Sequence, residues 1–538
     1  LRGHICGPRP GLPEPAVAGH GLHYTVGLEA NSSETFEFRF PFIGNLTPSD
    51  EQLFTALDYA AERERVVGYW RDAVRKSTVF SVPDAAFNNL ARAVVSHIRM
   101  SVMRDPESGL YLVPAASFNY PVYANESIFQ TVLLDRLGDA ATVKDYLETF
   151  LRLQGSRKLP GDYTGDQREV FHGVKISESN DYTALGYNMN HGTVLWGLAH
   201  YYMLSKDGAW LERAAPQLMK AADWIVSQRQ RTRITGSDGQ PVPHYGLLPA
   251  GMLEDCQEWR YWYATNAYSY LGLRSVAEAF REAGRPEAAH YAQEAEAYRR
   301  DILNSLQRAM ELSPVVRLRN NTCVPYVPVR PYQRFRYFGS KKSAYYDRYG
   351  KGIRPTLRLS STREVLYGPV TLLKTGLVDA RSEMAEWILD DWEDNLTLST
   401  SLNLNTHGWV DDEYWFSRGG MVFQAALQNP ISVYLDRHET KSAIRSLYNN
   451  FSALFYPDVI ALTEEYRMWE HASGPLYKTP DEARMVGQII DLLLDEKEGE
   501  IRLGNGIPQR WLEPGQQVVL RGLRTRYGAF SYTLTHGA

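Results

Sequence analysis

The feature that most constrains this fold is an alternation of short and long connections between helical segments. Between residues 51 and 497, apolar residues recur at helical spacing in roughly a dozen successive segments. Short turns fall near residues 77–83, 137–139, 205–208, 283–286, 376–379 and 436–439. Because a short turn makes its two helices antiparallel neighbours, this spacing predicts about six helical hairpins whose long loops emerge at one end.

We expect these hairpins to close into an (α/α)6 barrel, which makes the fold mainly α. A helical solenoid is the alternative, but it would normally show a sharper internal repeat than this sequence does. Residues 1–50 and 498–538 instead alternate apolar and polar residues at strand spacing. The predicted organisation is a β-strand region at 1–50 that contributes to a β-sandwich, a catalytic barrel at 51–497, and a C-terminal β-strand region at 498–538.

Charge and composition exclude several classes of partner. The 538 residues carry a formal net charge of −5, which gives no basic surface for nucleic acid. No run approaches the roughly 18 apolar residues of a membrane span, so we expect a soluble protein, either cytoplasmic or exported. The cysteines Cys6, Cys256 and Cys323 are too widely spaced for a disulfide framework or a zinc site. We therefore expect free thiols rather than a disulfide framework or a zinc site.

The long loop before residue 259 combines acidic and aromatic residues. Glycoside hydrolysis needs two carboxyl groups, one protonated and one ionised, on opposite sides of the scissile bond. Glu254 and Asp255 precede Trp259 and Arg260 here. Acidic capping of the next helix is an equally good explanation, but aromatic faces stack on sugars and raise a neighbouring carboxyl pKa by desolvation. We predict Asp255 or Glu254 as a catalytic residue, with Trp259 and Arg260 binding substrate.

The last long loop offers a partner carboxylate. It contains Glu464, Glu465, Glu470 and His471, and it adjoins the first hairpin if the barrel closes. We predict that Glu464 or Glu465 is the second catalytic residue and that Glu470 and His471 bind substrate. The alternative for most of the other charged residues of this loop is that they are exposed to solvent and have no role in a site.

Further polar and aromatic residues begin a helix or end a long loop. We predict that they bind substrate through hydrogen-bond donors and acceptors that contact sugar hydroxyls. They are Glu126, Asp166, Asn190, His191, Trp409, Asp412, Tyr414, Trp415 and Arg418. An Arg- and Tyr-rich stretch at 325–364 predicts a lid in which Arg363 receives a substrate carboxylate, since guanidinium groups bind carboxylates in bidentate fashion. Such a lid favours a uronic acid substrate.

Three phrases of the sequence resemble the six-hairpin glycosidases, a group of (α/α)6-barrel glycoside hydrolases with rhamnosidase-, glucosidase- and trehalase-like branches. They are NHGTVLWGLAHYYMLSKDGAWLERAAPQLMKAADWI, MLEDCQEWRYWYATNAYSYLGLRSVAEAF and TEEYRMWEHASGP. The resemblance implies cofactor-independent hydrolysis, commonly with inversion. It transfers the acid role to Asp255 or Glu254 and the base role to Glu464 or Glu465. Together with the Arg-rich stretch it implies a β-glucuronidase-like branch, although Gly-Met-Leu-Glu-Asp stands where the acid signature Ser-Gly-Trp-Asp is expected.

Two other functions fit the same residues. A polysaccharide lyase would cleave uronates by β-elimination, with the tyrosines of 325–367 and His191 carrying the chemistry. A non-catalytic carbohydrate-binding protein would handle sugars independently of Asp255 and Glu464. The expected partner in all three cases is an oligosaccharide or a glycoside; the oligomeric state is not predicted.

Overall fold

A computed structural model gives the structure of residues 16–18, 21–23, 27–33, 39–41, 46–77, 80–116, 121–171, 187–253, 259–318, 320–332, 366–396, 425–468 and 471–536. The chain divides into two compact units, Leu1–Ala73 and Val74–Ala538. The first unit contains the antiparallel strands β1 (Ala16–Ala18) and β2 (Gly21–His23) and helix α1 (Pro48–Ala56). Helix α2 (Tyr59–Ser77) crosses the boundary between the units.

The second unit is built mainly from helices. Those that the structure describes are α3 (Ala85–Ser101), α4 (Ala124–Arg136), α5 (Ala140–Arg152), α6 (Met189–Ser205), α7 (Gly208–Gln230), α8 (Tyr263–Glu282), α9 (Ala288–Glu311), α10 (Val370–Lys374), α11 (Glu383–Asp391), α12 (Ala425–Gln428), α13 (Ile431–Asp436), α14 (Thr440–Leu454) and α15 (Thr479–Leu493). Pro430 separates α12 from α13, since proline cannot donate the backbone hydrogen bond that would continue a helix.

The helices form two concentric layers, as an (α/α)6 barrel requires. In the inner layer α4 packs against α6, α6 against α8, α8 against α10, α10 against α13, and both α12 and α13 against α15, which returns to α4. The outer helices α5, α7, α9, α11 and α14 pack against this ring and follow their inner partners after short turns. The predicted barrel is confirmed.

The sixth helix pair comes from opposite ends of the barrel sequence. Helix α15 packs against α3 as well as α4, so α3 completes the outer layer. The turn at 77–83 precedes α3 without supplying its partner in the ring. Ring closure therefore depends on contacts between residues almost 400 positions apart, such as the 2.8 Å contact between His97 Nδ1 and Glu482 Oε2.

The inner helices pack closely because small residues lie where they cross. A Cβ atom placed on Gly192 of α6 would lie 2.4 Å from the backbone of Tyr268 on α8, and one placed on Gly272 would lie 2.5 Å from the carbonyl oxygen of Gly192. Between the two layers runs the main hydrophobic core, which contains fully buried side chains such as Phe87, Trp210 and Phe280.

Short strands accompany the barrel. They are β3 (Phe80–Ser81), β4 (Met103–Arg104), β5 (Tyr111–Leu112), β6 (Val315–Arg317), β7 (Cys323–Pro325), β8 (Phe455–Tyr456), β9 (Ala461–Met468), β10 (His471–Leu476), β11 (Leu494–Lys497), β12 (Glu500–Leu503), β13 (Gln517–Thr525) and β14 (Gly528–Thr535). Strand β13 lies between β14 and β3 and packs against α4 and α6.

The two ends of the barrel differ. Arg524 of β13 lies beside Gly138, which follows the C-terminal end of α4, and Arg526 pairs with Glu278 near the end of α8. The terminal hairpin therefore lies at the C-terminal ends of the inner helices. The long connections instead lead into their N-terminal ends, where a site is expected. None of the helices in the described ranges is long and apolar enough to cross a membrane.

Candidate functional site

Four charged residues meet at the N-terminal ends of inner helices α4 and α15. We call Glu126, Glu464, Lys478 and Asp481 the carboxylate–lysine cluster. Glu126 lies in the first turn of α4, Asp481 lies in the first turn of α15, Lys478 directly precedes α15, and Glu464 lies on β9. Closure of the ring brings these residues together from three parts of the chain.

Lys478 is the centre of the cluster. Its side chain is 1% exposed, and its Nζ lies 2.9 Å from Glu126 Oε2 and 3.0 Å from Glu464 Oε1. The ammonium also lies over the ring of Tyr123, 5.7 Å from the centroid, which adds a cation–π contact. A buried lysine needs such partners, because an unpaired ammonium away from water is strongly unfavourable.

Asp481 is the most unusual member of the cluster. It is completely buried, and neither carboxylate oxygen has a hydrogen-bond partner within the described part of the chain. Burial raises the pKa of Asp481 well above its usual value, and the neighbouring Glu126 and Glu464 add to the increase while Lys478 opposes it. This environment favours the protonated, neutral acid.

Glu464 is held in place by the backbone of its own strand. Two residues earlier, the Leu462 N–H donates to Glu482 Oε1 at 3.0 Å, and the Leu462 carbonyl accepts from the Lys478 N–H at 3.1 Å. The other oxygen of Glu482 contacts His97 on α3. The strand that carries Glu464 is thus fixed to α15 and, through His97, to the outer layer.

Amide and phenol groups extend the site around the ring. Asn190 Oδ1, at the start of α6, accepts from the Asn125 N–H at 3.2 Å, and Asn125 Nδ2 donates to the Tyr367 hydroxyl at 3.0 Å. Tyr367 adopts a left-handed backbone conformation with φ of 62°, and its N–H donates to Gln428 Oε1. These bonds connect α4, α6 and α12 at the loop end of the barrel.

The structure brings together three of the residues predicted from sequence: Glu126 and Glu464 through Lys478, and Asn190 through the backbone of Asn125. Other predicted residues lie outside the described part of the chain: Glu254, Asp255, Arg363, Trp409, Asp412, Tyr414, Trp415, Arg418 and Glu470. The backbones of Glu465 and His471 lie on the paired strands β9 and β10.

His191 occupies a packing position between α6 and α7. Its Nδ1 accepts from the Phe171 N–H at 3.0 Å, which leaves the proton on Nε2 to be donated to the Ala221 carbonyl, also at 3.0 Å. Burial lowers the pKa of His191 to about 4, so the ring is neutral near pH 7. Both nitrogens are used by the protein backbone, which leaves neither of them for a sugar hydroxyl.

The remaining predicted residues lie at the surface. Asp166 pairs with Arg168 at 2.8 Å. Trp259 is 45% exposed, and the guanidinium of Arg260 donates to the Trp259 carbonyl. Within the described ranges, no group of three or more His, Cys, Asp or Glu side chains is arranged to hold a metal ion.

Lys478 and Asp481 are not among the site residues predicted from sequence, and Tyr367 is among them only as one of the tyrosines of 325–367 in the lyase alternative. Asp481 follows Thr479 and Pro480, which is a typical beginning of a helix, and an acid there normally just stabilises the helix N-terminus. Lys478 lies immediately before this helix, and a cation is unfavourable near a helix N-terminus unless acids surround it. Its position is therefore the local sequence signal of the buried cluster.

Comparisons with known proteins add to this picture. No protein-family model matches the sequence, and no curated protein gives a significant match. Among solved structures, a bacterial glucoamylase complexed with acarbose aligns with a TM-score of 0.51 at 11% identity, over 83% of this chain and 61% of that one. This chain shares its barrel fold.

Two further solved structures align with TM-scores below 0.5. A metal-independent α-mannosidase from Streptococcus pneumoniae aligns at 9% identity and a TM-score of 0.46, over 80% of this chain and 99% of that one. A rhamnosidase from Klebsiella oxytoca with rhamnose bound aligns at 10% identity and a TM-score of 0.44, over 77% of this chain and 66% of that one.

Proposed function

We propose that this protein is a glycoside hydrolase whose active site lies at the N-terminal ends of the inner helices. The supporting observation is the buried carboxylate–lysine cluster at that end of the barrel. Acid–base cleavage of a glycosidic bond requires two carboxyl groups, and this cluster supplies a candidate for one of them. The substrate is an oligosaccharide or a glycoside.

In this proposal Glu464 acts as the general base that activates water, with Glu465 as the alternative. The Glu464 side chain is 14% exposed and so remains accessible to water, whereas that of Glu126 is 4% exposed. The ammonium of Lys478 orients the Glu464 carboxylate. Its second partner, Glu126, fixes the ammonium in turn.

The general acid must come from a different loop. Glu126 and Glu464 share one ammonium, so no sugar linkage fits between them. We propose Asp255 or Glu254 for this role, because the loop that carries them leads into the N-terminal end of α8. An inverting mechanism with about 6.5–9.5 Å between the two carboxyl groups leaves room for the attacking water.

We further propose a uronide substrate and β-glucuronidase-like activity. This part rests on the Arg-rich stretch at 325–364, whose guanidinium groups suit a substrate carboxylate. Neutral glycosides are the competing substrates, and rhamnosides are the first of them to compare.

The test is a screen of 4-nitrophenyl glycosides that includes the glucuronide and the rhamnoside. With the best substrate, we expect Glu464→Gln and Asp255→Asn to lower kcat about 10²- to 10⁴-fold while the protein remains folded. Glu513→Gln, a matched change at the surface, should leave kcat unchanged. The anomer released first, followed by NMR, distinguishes inversion from retention.

Two outcomes would reject the proposal. If no glycoside is hydrolysed and a uronate polymer yields a product that absorbs in the ultraviolet, the protein is a lyase. If Glu464→Gln and Asp255→Asn both retain full turnover, catalysis does not use these carboxylates.

A further inference from the structure

Two buried cations form no ion pair with a carboxylate among the residues that the structure describes. Arg484 lies on α15 one turn after Asp481, and Lys374 ends α10. Among the residues that the structure describes, no carboxylate forms an ion pair with either of them, and Arg484 Nε has no hydrogen-bond partner. The guanidinium of Arg484 lies over the Phe129 ring, 5.3 Å from the centroid, and the Lys374 ammonium donates to the Leu427 carbonyl.

The surroundings of these two cations disfavour their charges. Burial lowers the pKa of Lys374 well below its usual value, and repulsion from Arg484 lowers it further. Burial likewise lowers the pKa of Arg484, with Tyr268 and Asp491 opposing the change. Because arginine stays protonated in proteins, Arg484 leaves a positive potential inside the protein that an anion would relieve, and a bound anion would also favour the charged form of Lys374.

A small cavity adjoins Arg484. It has a volume of about 30 Å³ and lies between α4 and α15, where Phe129, Arg136, Asp491 and Gln488 also contribute to its wall. Arg136 pairs with Asp491 at 2.8 Å, whereas Arg484 forms no ion pair within the described part of the chain. A cavity of this size accommodates one or two water-sized groups, hence a halide ion or a single carboxylate.

Lys374 approaches the same region from the facing side of the ring. Gln488, which lines the cavity, donates to the Ala426 carbonyl at 2.8 Å, and Lys374 donates to the adjacent carbonyl of Leu427. Gln488, one turn after Arg484 on α15, and Lys374 therefore both bond to the short helix α12.

We propose that this region of the barrel binds a small monoanion, with Arg484 and Lys374 as its counter-charges. The anion is either a free halide or a single carboxylate, such as that of a sugar acid. This anion site goes beyond glycoside hydrolysis and does not require it.

Isothermal titration calorimetry on the full chain tests the proposal with four probes: sodium chloride, sodium bromide, sodium D-glucuronate and, as the neutral control, D-glucose. We expect saturable binding of the halides, of glucuronate, or of both, and none of D-glucose. Arg484→Met should weaken that binding at least tenfold. Arg300→Met removes an arginine that is 63% exposed and should bind as the wild type does.

Thermal unfolding supplies a second readout. In anion-free buffer, Arg484→Met should raise Tm, because it removes an unpaired buried charge, and it should abolish the rise in Tm that the bound anion causes in the wild type. If Arg484→Met does not fold, Lys374→Met takes its place. It should likewise raise Tm in anion-free buffer and reduce the rise in Tm that the anion causes.

The pattern of results identifies the anion. Binding of chloride and bromide alone indicates a free halide, and binding of glucuronate alone indicates the carboxylate of a sugar acid. If none of the three anions binds, or if Arg484→Met and Lys374→Met both bind them as tightly as the wild type, the proposal is overturned. A failure of every glycoside in the hydrolysis screen leaves anion binding untouched, so the two proposals fail separately.

Discussion

Replacing Lys478 with methionine should destabilise the barrel strongly. The change keeps most of the side-chain volume but leaves Glu126, with a 4% exposed side chain, and Glu464, with a 14% exposed side chain, without their common cation. Removing one partner of a buried ion pair typically costs about 3–5 kcal/mol, because the remaining charge stays away from water. We expect a loss of this size in the free energy of unfolding.

Urea-induced unfolding, followed by tryptophan fluorescence and by circular dichroism, measures the loss. Lys144→Met is the matched control, since Lys144 pairs with Asp207 at 2.7 Å but both side chains are partly exposed, at 37% and 27%. An exposed pair contributes about 1 kcal/mol or less. The double change Lys478→Met with Glu126→Gln should recover part of the loss by removing one unpaired charge.

The reasoning is refuted if Lys478→Met unfolds at the same urea concentration as Lys144→Met. That result would mean that water or a rearranged neighbour solvates both glutamates, and that Lys478 is not the tightly paired, buried cation described above.

Three further predictions concern other parts of the barrel. Gly192→Ala should lower the free energy of unfolding by about 1–3 kcal/mol, because its Cβ would meet the Tyr268 backbone on α8, whereas Gly208→Ala, with open space around it, should change it little in urea unfolding. An NMR titration should show that His191 stays neutral down to about pH 4. The unfolded chain binds a proton at this histidine below the ordinary pKa of 6.5, so His191 lowers the free energy of unfolding as the pH falls from 6.5 to about 4. A measured pKa near 6.5 would contradict the burial described. Asp481→Asn should be more stable than the wild type at pH 7 and should lose that advantage near pH 4. The raised pKa means that native Asp481 binds a proton that the unfolded chain binds only at lower pH, so the wild type gains stability as the pH falls while the asparagine variant does not. If variant and wild type have equal urea midpoints at both pH values, a protonated Asp481 is excluded.

The local part of the fold is predictable from sequence because its signals are local. The turns at 137–139, 205–208 and 436–439 do lie between consecutive antiparallel helices. Asp207, for example, accepts from the Trp210 N–H and so begins α7 immediately after Lys206, whose φ of 56° ends α6. Such caps act within four residues, which is the range over which sequence patterns are most informative.

The closure of the ring is not local, and this limits what could be predicted of the site. Nothing near residue 85 indicates that α3 will pack against α15 rather than against a helix joined to it by a short turn. For the same reason Asp481 resembles an ordinary N-terminal helix acid until Glu126 and Glu464 surround it. His191 shows the opposite effect: its neighbours in sequence suggested sugar binding, while its actual partners are two backbone groups from distant segments.

The pairing of Glu126 with Lys478 also has a consequence for biosynthesis. About 350 residues separate the two, so a ribosome adding about 5–20 residues per second completes Lys478 roughly 20–70 s after Glu126. During that interval Glu126 lacks its cation, and the face of α4 that packs against α15 is uncovered. We therefore expect this barrel to depend on chaperones during translation, and expect its yield to respond to elongation rate more than that of a protein whose neighbours in space are also neighbours in sequence.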